Sequence, residues 1–505
     1  MLRYPDRVIA TPSTRRGGAA RARSMAAAVG TLLLTLALAP SAGAQSDPVT
    51  TAADIEPTPA PTPVPTPVAE PEAADASQPP DKPGTRVEAV PDADDEASSD
   101  RIRYRDPLDI DYEPVKDKWD RFTQSLLGIT RYSFFDDKLR FRLGGRFQAD
   151  GTLVAPSDQL EADLGEMTDR ADFRRLRLFA EGIWGTMYFR TEFDFASDAG
   201  VKTAYFEGRE GGLAIWGHLL GKLRYGYFDE PFSLEQSVST FDTTFVEVSL
   251  PTHAIAPGAN IGAMVYDASK NRRFTWAVGG FSWGRETEGN ASTSTLSLTG
   301  RLGFRPVRFN DGRRMLHLGA SFSFRNPNGD EERYRARPEA RFVPLFADTG
   351  DIPATDNMLT GLEAAWKSSN WWAQGEWIQS RLKSVEAGDP RFYGFALQAG
   401  TFLTGHSRPW DDLFGVWGRV RPEQSYRGGN PFKAANGGAW ELAARYSMID
   451  LTDGTVTGGV VRDLTAGVNW YPNITSKLQF NWVHSRVEDS GYANIWILRY
   501  QFAIK

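Results

Sequence analysis

The stretch Leu139–Asp150, LRFRLGGRFQAD, begins with a strict alternation of apolar and charged side chains. Leu139 and Phe141 fall on one side of this alternation, whereas Arg140 and Arg142 fall on the other. Successive side chains of a β-strand point to opposite faces, while a helix would scatter both sets around its circumference. The stretch therefore predicts a strand with one apolar face and one charged face.

The same alternation recurs to the end of the chain. Phe173–Trp184 and Met187–Phe195 repeat it, with Arg175, Arg177 and Arg190 on their charged faces. We predict sixteen strands, at about residues 139–152, 173–184, 186–198, 202–209, 213–228, 260–267, 274–283, 293–306, 315–325, 357–367, 371–382, 391–402, 439–450, 458–471, 476–487 and 493–502.

Strand number, strand length and aromatic placement decide between two β architectures. In a soluble sandwich the apolar face is interior, whereas in an outer-membrane barrel it meets lipid and the charged face lines a lumen. An even number of segments of about ten residues, with Trp and Tyr near their ends, favours the barrel. The predicted fold class is therefore an all-β, 16-stranded antiparallel transmembrane β-barrel with a disordered Pro-rich N-terminal arm.

The predicted connections divide into short and long ones. Residues 153–172, 229–259, 326–356 and 403–438 form the long connections. Barrels of this class have short periplasmic turns and longer external loops, so we expect the long connections to be external. A barrel of this size is wide enough for an aqueous channel, and loops are where function tends to lie.

Composition excludes several other classes of protein. Residues 139–505 carry 41 basic and 42 acidic side chains, so no basic footprint for nucleic acid is present. Cysteine is absent, which removes thiol catalysis, disulfides and Cys-based zinc sites. No apolar run reaches the length of about 20 residues that a spanning helix needs, which excludes a helical membrane protein.

The first part of the chain reads as export and spacer sequence. Basic residues that include Arg15, Arg16, Arg21 and Arg23 precede the apolar stretch Met25–Pro40, and small residues follow it, so residues 1–44 are predicted to be a secretory signal peptide. Residues 45–100, rich in Pro, Ala and acidic residues, are predicted to be a disordered linker that reaches into the periplasm. Residues 101–138 form a lead-in segment with a candidate short helix at 118–127, and residues 139–505 form the barrel domain.

Several motifs then connect the chain to a known family. They are Arg174–Gly182 (RRLRLFAEG), Glu230–Glu235 (EPFSLE), Ser249–Pro251 (SLP), Ala256–Gly262 (APGANIG) and Gly467–Asn473 (GVNWYPN), in that order. The chain resembles the phosphate-selective porin O and P family in these motifs, and the resemblance covers roughly residues 139–502.

The resemblance implies a trimeric outer-membrane channel in which the third external loop folds inward and narrows the pore. Residues 229–259 would be that loop, and its candidate constriction residues are Asp229, Glu230, Ser233, Glu235, Asp242 and Glu247. Basic side chains in the family's lumen collect anions, and basic residues on the predicted lumen face here are Arg140, Arg142, Arg146, Arg175, Arg177, Arg190, Lys222 and Arg224. Fixed positive charge in a narrow channel raises the local anion concentration and repels cations.

The predicted constriction departs from the family pattern. Asp229 stands where the family commonly has lysine, and Val248 and Ala259 stand where it often has arginine. The segment 229–259 carries five carboxylates and no Lys or Arg. We therefore hypothesise a barrel with basic walls and an acidic or neutral constriction, which lets small solutes pass broadly rather than phosphate alone.

Two interpretations of the wall arginines stay open at this point. They form a permeation path for inorganic anions, or they balance Glu181, Glu192 and Asp194 across neighbouring strands, and both can hold at once. A second cluster, Arg333, Arg335, Arg337 and Arg341, is interleaved with carboxylates. It is expected to neutralise itself rather than to capture an external anion or a lipopolysaccharide phosphate.

No reaction is predicted for this chain. The five histidines are scattered, and neither H-E-x-x-H nor G-x-S-x-G occurs, so we predict no catalytic residue, no metal site, no cofactor and no enzyme. The predicted partners are small solutes or inorganic anions, outer-membrane lipid and lipopolysaccharide, and two further copies in a homotrimer. The alternative is a barrel-anchored envelope-tethering or adhesion protein without significant transport.

Overall fold

A computed structural model describes residues 131–135, 138–196, 199–208, 213–215, 218–284, 294–309, 312–327, 331–433 and 436–504. The strands are β1 (Arg131–Phe134), β2 (Leu139–Pro156), β3 (Arg170–Trp184), β4 (Met187–Asp194), β5 (Gly200–Gly208), β6 (Leu213–Ile215), β7 (His218–Asp229), β8 (Ala259–Ala268), β9 (Phe274–Gly284), β10 (Ser294–Arg308), β11 (Arg314–Pro327), β12 (Glu331–Glu332), β13 (Arg335–Ala336), β14 (Ala347–Asp348), β15 (Ile352–Pro353), β16 (Asp356–Ser368), β17 (Trp371–Lys383), β18 (Arg391–Phe402), β19 (Trp410–Asp411), β20 (Val416–Trp417), β21 (Ala439–Asp453), β22 (Val456–Tyr471), β23 (Ser476–Val487) and β24 (Gly491–Ile504). The helices are α1 (Asp158–Leu164), α2 (Leu234–Ser237) and α3 (Leu250–Ile255).

Sixteen of the strands in the described residues close an antiparallel barrel. They are β2 to β5, β7 to β11, β16 to β18 and β21 to β24, each paired with its neighbours along the chain. The last strand returns to the first, since β24 pairs with β2 from Gly145 opposite Ile504 to Pro156 opposite Ala493. The predicted fold class, a 16-stranded antiparallel barrel, is confirmed.

The two faces of the wall differ in the way that a membrane barrel requires. Along β24, Leu498 and Tyr500 point outward and are 55% and 42% exposed, whereas Arg499 and Gln501 point inward and are buried. Apolar side chains thus face the surroundings and polar side chains fill the interior, the reverse of a soluble protein. None of the helices in the described residues is long and apolar enough to cross a bilayer.

One predicted strand proves to be two. The segment 213–228 contains β6 and β7, and Ile215 pairs with His218 in an antiparallel hairpin. Only Trp216 and Gly217 separate the two strands in the sequence. A two-residue connection that contains Gly is a hairpin signal, and an unbroken strand was the wrong interpretation of it.

The long connections do not all leave from the same end of the barrel. Because consecutive strands are antiparallel, 157–169, 230–258 and 328–355 leave from one rim, here called the loop rim. The connection 403–438 leaves from the opposite rim, together with most of the short turns and both ends of the barrel. We call this end the terminal rim. The expectation that all four long connections lie at one external rim was therefore wrong, because strand order rather than length decides the rim and 403–438 lies opposite the other three.

The predicted signal peptide (1–44), the linker (45–100) and the candidate helix (118–127) lie outside the described residues. Within the lead-in segment, β1 pairs with the start of β2, from Arg131 opposite Arg142 to Phe134 opposite Leu139. β24 pairs with β2 only from Gly145 onward. β1 therefore covers the end of β2 that β24 does not reach.

Candidate functional site

The barrel interior holds a cavity of about 1120 Å³. Arginines on the inner faces of β2, β3, β4 and β7 line one side of this cavity. Residues of the connection 230–258 line the other side, and we call this connection the inward loop. The cavity is therefore bounded by a charged wall and by a segment that enters from the loop rim.

Glu230 fixes the start of the inward loop. Its carboxylate accepts hydrogen bonds from Asn260 at 2.5 Å and from Thr299, and it forms an ion pair with Arg325 at 2.9 Å. Glu230 and Arg325 are both buried. A carboxylate on this side of the loop is thus neutralised by the wall of β10 and β11.

Glu376, which points inward from β17, holds the start of helix α2. Its carboxylate accepts hydrogen bonds from Ser233 Oγ at 2.6 Å and from the backbone N–H groups of Leu234 and Glu235 at 3.0 and 2.7 Å. The backbone of Ser233 has a φ of 60°, which is uncommon for a residue other than glycine. The three hydrogen bonds at Glu376 offset the cost of that conformation.

Glu235 joins the two helices of the inward loop to the far wall. Its carboxylate accepts hydrogen bonds from the N–H of Ser249 at 3.1 Å and from Thr252 Oγ1 at 3.1 Å. Arg445 of β21 donates to it at 3.0 Å. Glu235 therefore connects α2, α3 and the wall through one buried carboxylate.

Glu247 connects the inward loop to two further strands. Its carboxylate binds Arg174 of β3 at 2.7 Å and Arg499 of β24 at 2.8 Å. Burial raises the pKa of Glu247, but the guanidinium groups of Arg174, Arg175 and Arg499 outweigh burial and hold this pKa well below its usual range. Glu247 is therefore ionised, and its charge is compensated by the wall.

Backbone carbonyls of the inward loop also bind the wall. The contacts are Gln501 to Phe241 O at 2.9 Å, Lys477 to Thr243 O at 2.8 Å, Asn469 and Gln479 to Thr244 O at 2.8 and 2.9 Å, and Arg499 to Val246 O at 2.6 Å. The donors belong to β22, β23 and β24. A loop without such partners would carry unsatisfied carbonyls inside the barrel.

The six residues predicted for the constriction therefore fall into two groups. Five of them, Glu230, Ser233, Glu235, Asp242 and Glu247, contact the wall or the segment opposite. Asp229 differs because it is exposed, although four of the other five residues also line the cavity. The sequence showed the carboxylates of the loop but carried no local signal for their partners, which lie up to 252 residues away.

The wall arginines alternate with carboxylates across the inner faces of β2, β3, β4, β5 and β7, and we call this set the arginine ribbon. Glu181 accepts from Arg142 and Arg190, and from the hydroxyl of Tyr188 at 2.7 Å. Glu207 pairs with Arg224 at 2.7 Å. The predicted pairing across strands is therefore observed, whereas the permeation path for anions stays a prediction.

The predicted basic residues do not all reach the cavity. Six of them line it in the described residues: Arg142, Arg146, Arg175, Arg177, Arg190 and Arg224. Arg175 donates to Gln148 at 2.6 Å and lies 3.9 Å from Glu247. Arg140 and Lys222 lie outside this lining.

The connection 403–438 contributes a second segment to the interior, which the sequence interpretation did not assign to the lumen. Its two short strands, β19 and β20, form a hairpin that enters from the terminal rim. We call residues 408–419 the rim hairpin. Arg301 of β10 donates to Phe414 O and Gly415 O at 2.9 and 2.8 Å. Trp417 Nε1 donates to Gln374 at 2.6 Å.

Arg408 sits at the base of the rim hairpin between two tryptophans. Its guanidinium lies 4.0 Å from the ring centre of Trp372 and 4.6 Å from that of Trp417. The backbone carbonyl of Arg408 accepts from Lys367 at 2.8 Å. Stacking of a guanidinium on tryptophan faces is favourable, so Arg408 ties the hairpin to the wall of β16 and β17.

A third segment, 331–355, fills another part of the interior. Its Tyr334 hydroxyl is hydrogen bonded to Ser380 at 2.7 Å, and Glu339 pairs with Arg445 of the wall. Arg333, in the arginine cluster of this segment, pairs with Asp348 at 2.7 Å. This ion pair within the loop agrees with the expected self-neutralisation.

Comparison with known proteins identifies a family and several proteins that this chain resembles. The family model of phosphate-selective porin O and P matches residues 141–502. Porin O of Pseudomonas aeruginosa is 25% identical over 418 residues, which cover 73% of this chain and 89% of that protein. An anion-selective porin from Comamonas acidovorans aligns with a TM-score of 0.44 and 12% identity over 72% of this chain and 99% of that one. The outer membrane channel DcaP of Acinetobacter baumannii aligns with a TM-score of 0.42 and 11% identity over 74% of this chain and 99% of that one.

Proposed function

Since this chain belongs to the phosphate-selective porin O and P family, we propose that its cavity between the arginine ribbon and the inward loop is the path by which solutes cross the membrane. Family membership makes the protein an outer-membrane porin, a water-filled channel for passive diffusion of small solutes, rather than an enzyme. The permeating solutes include anions such as phosphate. Selectivity in such a channel is set by pore width and fixed charge.

The observation that carries this proposal is the charge of the cavity lining. Among the described residues, the lining contains twelve Lys and Arg side chains and nine Asp and Glu side chains. The cavity lining therefore has a small excess of positive charge. Such an excess attracts anions without holding them strongly.

The carboxylates of the inward loop do not by themselves make the narrow part of the channel acidic, because most of them form ion pairs. Glu230, Glu235 and Glu247 are compensated by arginines of the wall. Asp229 faces the cavity and opposes the ribbon. We infer a weak preference for anions, whereas the loop composition alone predicts an acidic or neutral constriction with broad passage of small solutes.

The test is the reversal potential of the purified full chain in a planar bilayer under a potassium chloride gradient, repeated with phosphate on one side. We expect a small potential of the sign that denotes anion preference, and a partial block of the current by phosphate. A cation-selective current would overturn the proposed charge selectivity. Absence of conductance from verified folded protein would overturn the channel and favour the tethering or adhesion function.

We further propose that the terminal rim faces the periplasm and that the N-terminal arm lies there. The presence of both barrel ends and most short turns at this rim supports the orientation. The exposed apolar band around the barrel suits membrane lipid, with lipopolysaccharide in the outer leaflet. A homotrimer follows from the family resemblance, and cross-linking of the protein in native membranes tests it.

A further inference from the structure

Glu192 interacts with three arginines rather than with one. It lies on β4, points into the barrel and is 4% exposed. Its carboxylate binds Arg190 at 2.5 Å and Arg177 at 3.0 Å, and Arg146 approaches it to 3.8 Å. In the described part of the chain, three guanidinium groups from three adjacent strands thus meet at one carboxylate, and all four side chains line the cavity.

The strand register explains why a carboxylate is needed at this place. Arg146 of β2 and Arg177 of β3 stand directly opposite each other. Like charges in that position repel and destabilise a sheet. Glu192 lies within ion-pair distance of both and offsets the repulsion.

One of the three arginines, Arg146, is fixed by several contacts, which include a hydrogen bond that its Nη1 donates to Ser239 Oγ at 3.4 Å. Arg146 is 93% buried, since its exposed fraction is 7%, and its Nε has no hydrogen-bond partner among the described residues. Its guanidinium lies 5.4 Å from the ring centre of Phe179 and 4.9 Å from that of Phe241. The two rings fix the position of the guanidinium, so Arg146 is held in place by more than its distant contact with Glu192.

We infer that Glu192 is a resident counter-anion, whose carboxylate occupies the position at which Arg146, Arg177 and Arg190 would bind an oxyanion of a passing solute. This inference rests on the proposed function. The ligand class is a small oxyanion, with a phosphate or carboxylate group that accepts several N–H bonds. Conduction requires that binding be weak enough for release, and Glu192 supplies the competing charge that keeps it weak.

The experiment compares the full-chain protein with Glu192→Gln in planar bilayers. The substitution keeps the shape of the side chain but removes its charge, so the three arginines lack their counter-charge. We expect inorganic phosphate to block the current at a concentration lower by at least about tenfold, since a unit charge near 4 Å is worth more than that factor when only partly screened. The reversal potential should shift toward stronger anion preference.

A matched control separates this site from a general effect of charge. Glu207→Gln removes a similarly buried carboxylate from the next strand, β5, where it pairs with Arg224 and lies outside the cavity lining. We expect it to shift the reversal potential, but to lower the blocking phosphate concentration far less than Glu192→Gln does. An equal effect of the two variants on phosphate block would overturn the inference.

Two further measurements keep the inference testable. Replacing Arg177 as well, in the double variant Glu192→Gln with Arg177→Gln, should return the blocking concentration toward the wild-type value. If Glu192→Gln does not fold, Arg177→Gln alone should weaken anion preference, and an unchanged reversal potential would count against the site. Loss of all conductance in the wild-type protein would instead overturn the proposed function itself.

Discussion

Arg419 Nε lies 3.9 Å from Asp242 Oδ1, although the two residues belong to segments that enter the barrel from opposite rims. Nearby, Leu234 of the inward loop belongs to the same buried apolar cluster as Val416 and Trp417 of the rim hairpin. The inward loop and the rim hairpin thus meet inside the barrel. Asp242 and Arg419 also line the cavity, together with the arginine ribbon.

Removing the charge of Glu247 should release the middle of the inward loop. In Glu247→Gln, Arg174 and Arg499 lose a shared carboxylate, and breaking a buried ion pair of this kind costs about 3–5 kcal/mol. We expect larger and noisier single-channel currents than in the wild type. Currents of unchanged size would show that the backbone contacts alone hold the loop.

The same contact should survive mild acid. A carboxyl group whose pKa is lowered in the folded state stabilises fully above its unfolded pKa of about 4.3, and loses this effect as pH falls through the lower folded pKa. Because the pKa of Glu247 is held well below its usual range, conductance should stay constant from pH 7 to about pH 5. A transition of the single-channel conductance between these values, absent in Glu247→Gln, would contradict the assignment of this ion pair.

Loss of Trp417 should weaken the rim hairpin. Trp417→Ala removes the hydrogen bond to Gln374 and one of the two rings around Arg408, and truncation of a buried Trp costs about 3–5 kcal/mol. We expect higher conductance and faster cleavage by trypsin after Arg419 or Arg421. Phe432→Ala is the control, since Phe432 lies in the same connection but is 68% exposed. Equal cleavage in both variants would argue against a hairpin held by Trp417.

Asp229 should limit anion preference in the wild-type protein. Asp229 and Glu230 both line the cavity, but Asp229 is exposed whereas Glu230 is buried against Arg325. Asp229→Asn is expected to shift the reversal potential toward anions without loss of folding, and Asp229→Lys is expected to shift it further. The prediction fails if both variants give the wild-type potential under the same potassium chloride gradient.

The wall of this protein could be predicted from its sequence, because a strand encodes its two faces locally. The alternation from Leu139 onward placed sixteen strands, and the misjudged segment 213–228 still contained its hairpin signal at Gly217. The contacts between side chains inside the barrel have no such local pattern in the sequence. Asn469 and Thr244, for example, are 225 residues apart, and nothing near either residue specifies the other.

The rim hairpin likewise has one feature that the sequence predicts and one that it does not. Its position at the terminal rim follows from counting strands, which the sequence permits. Its entry into the lumen depends on Arg301 and Gln374, which belong to other strands and reach it only after folding. Side-chain partners across a lumen are therefore the part of such a protein that sequence patterns leave open.

The docking contacts of the inward loop also order the events of assembly. Its carbonyls bind Asn469, Lys477 and Arg499, which follow the loop by 225, 234 and 253 residues. Contacts of such long sequence separation form late, since the entropy of closing the intervening chain must be overcome first. The width of the channel therefore depends on contacts that the last three strands of the chain supply.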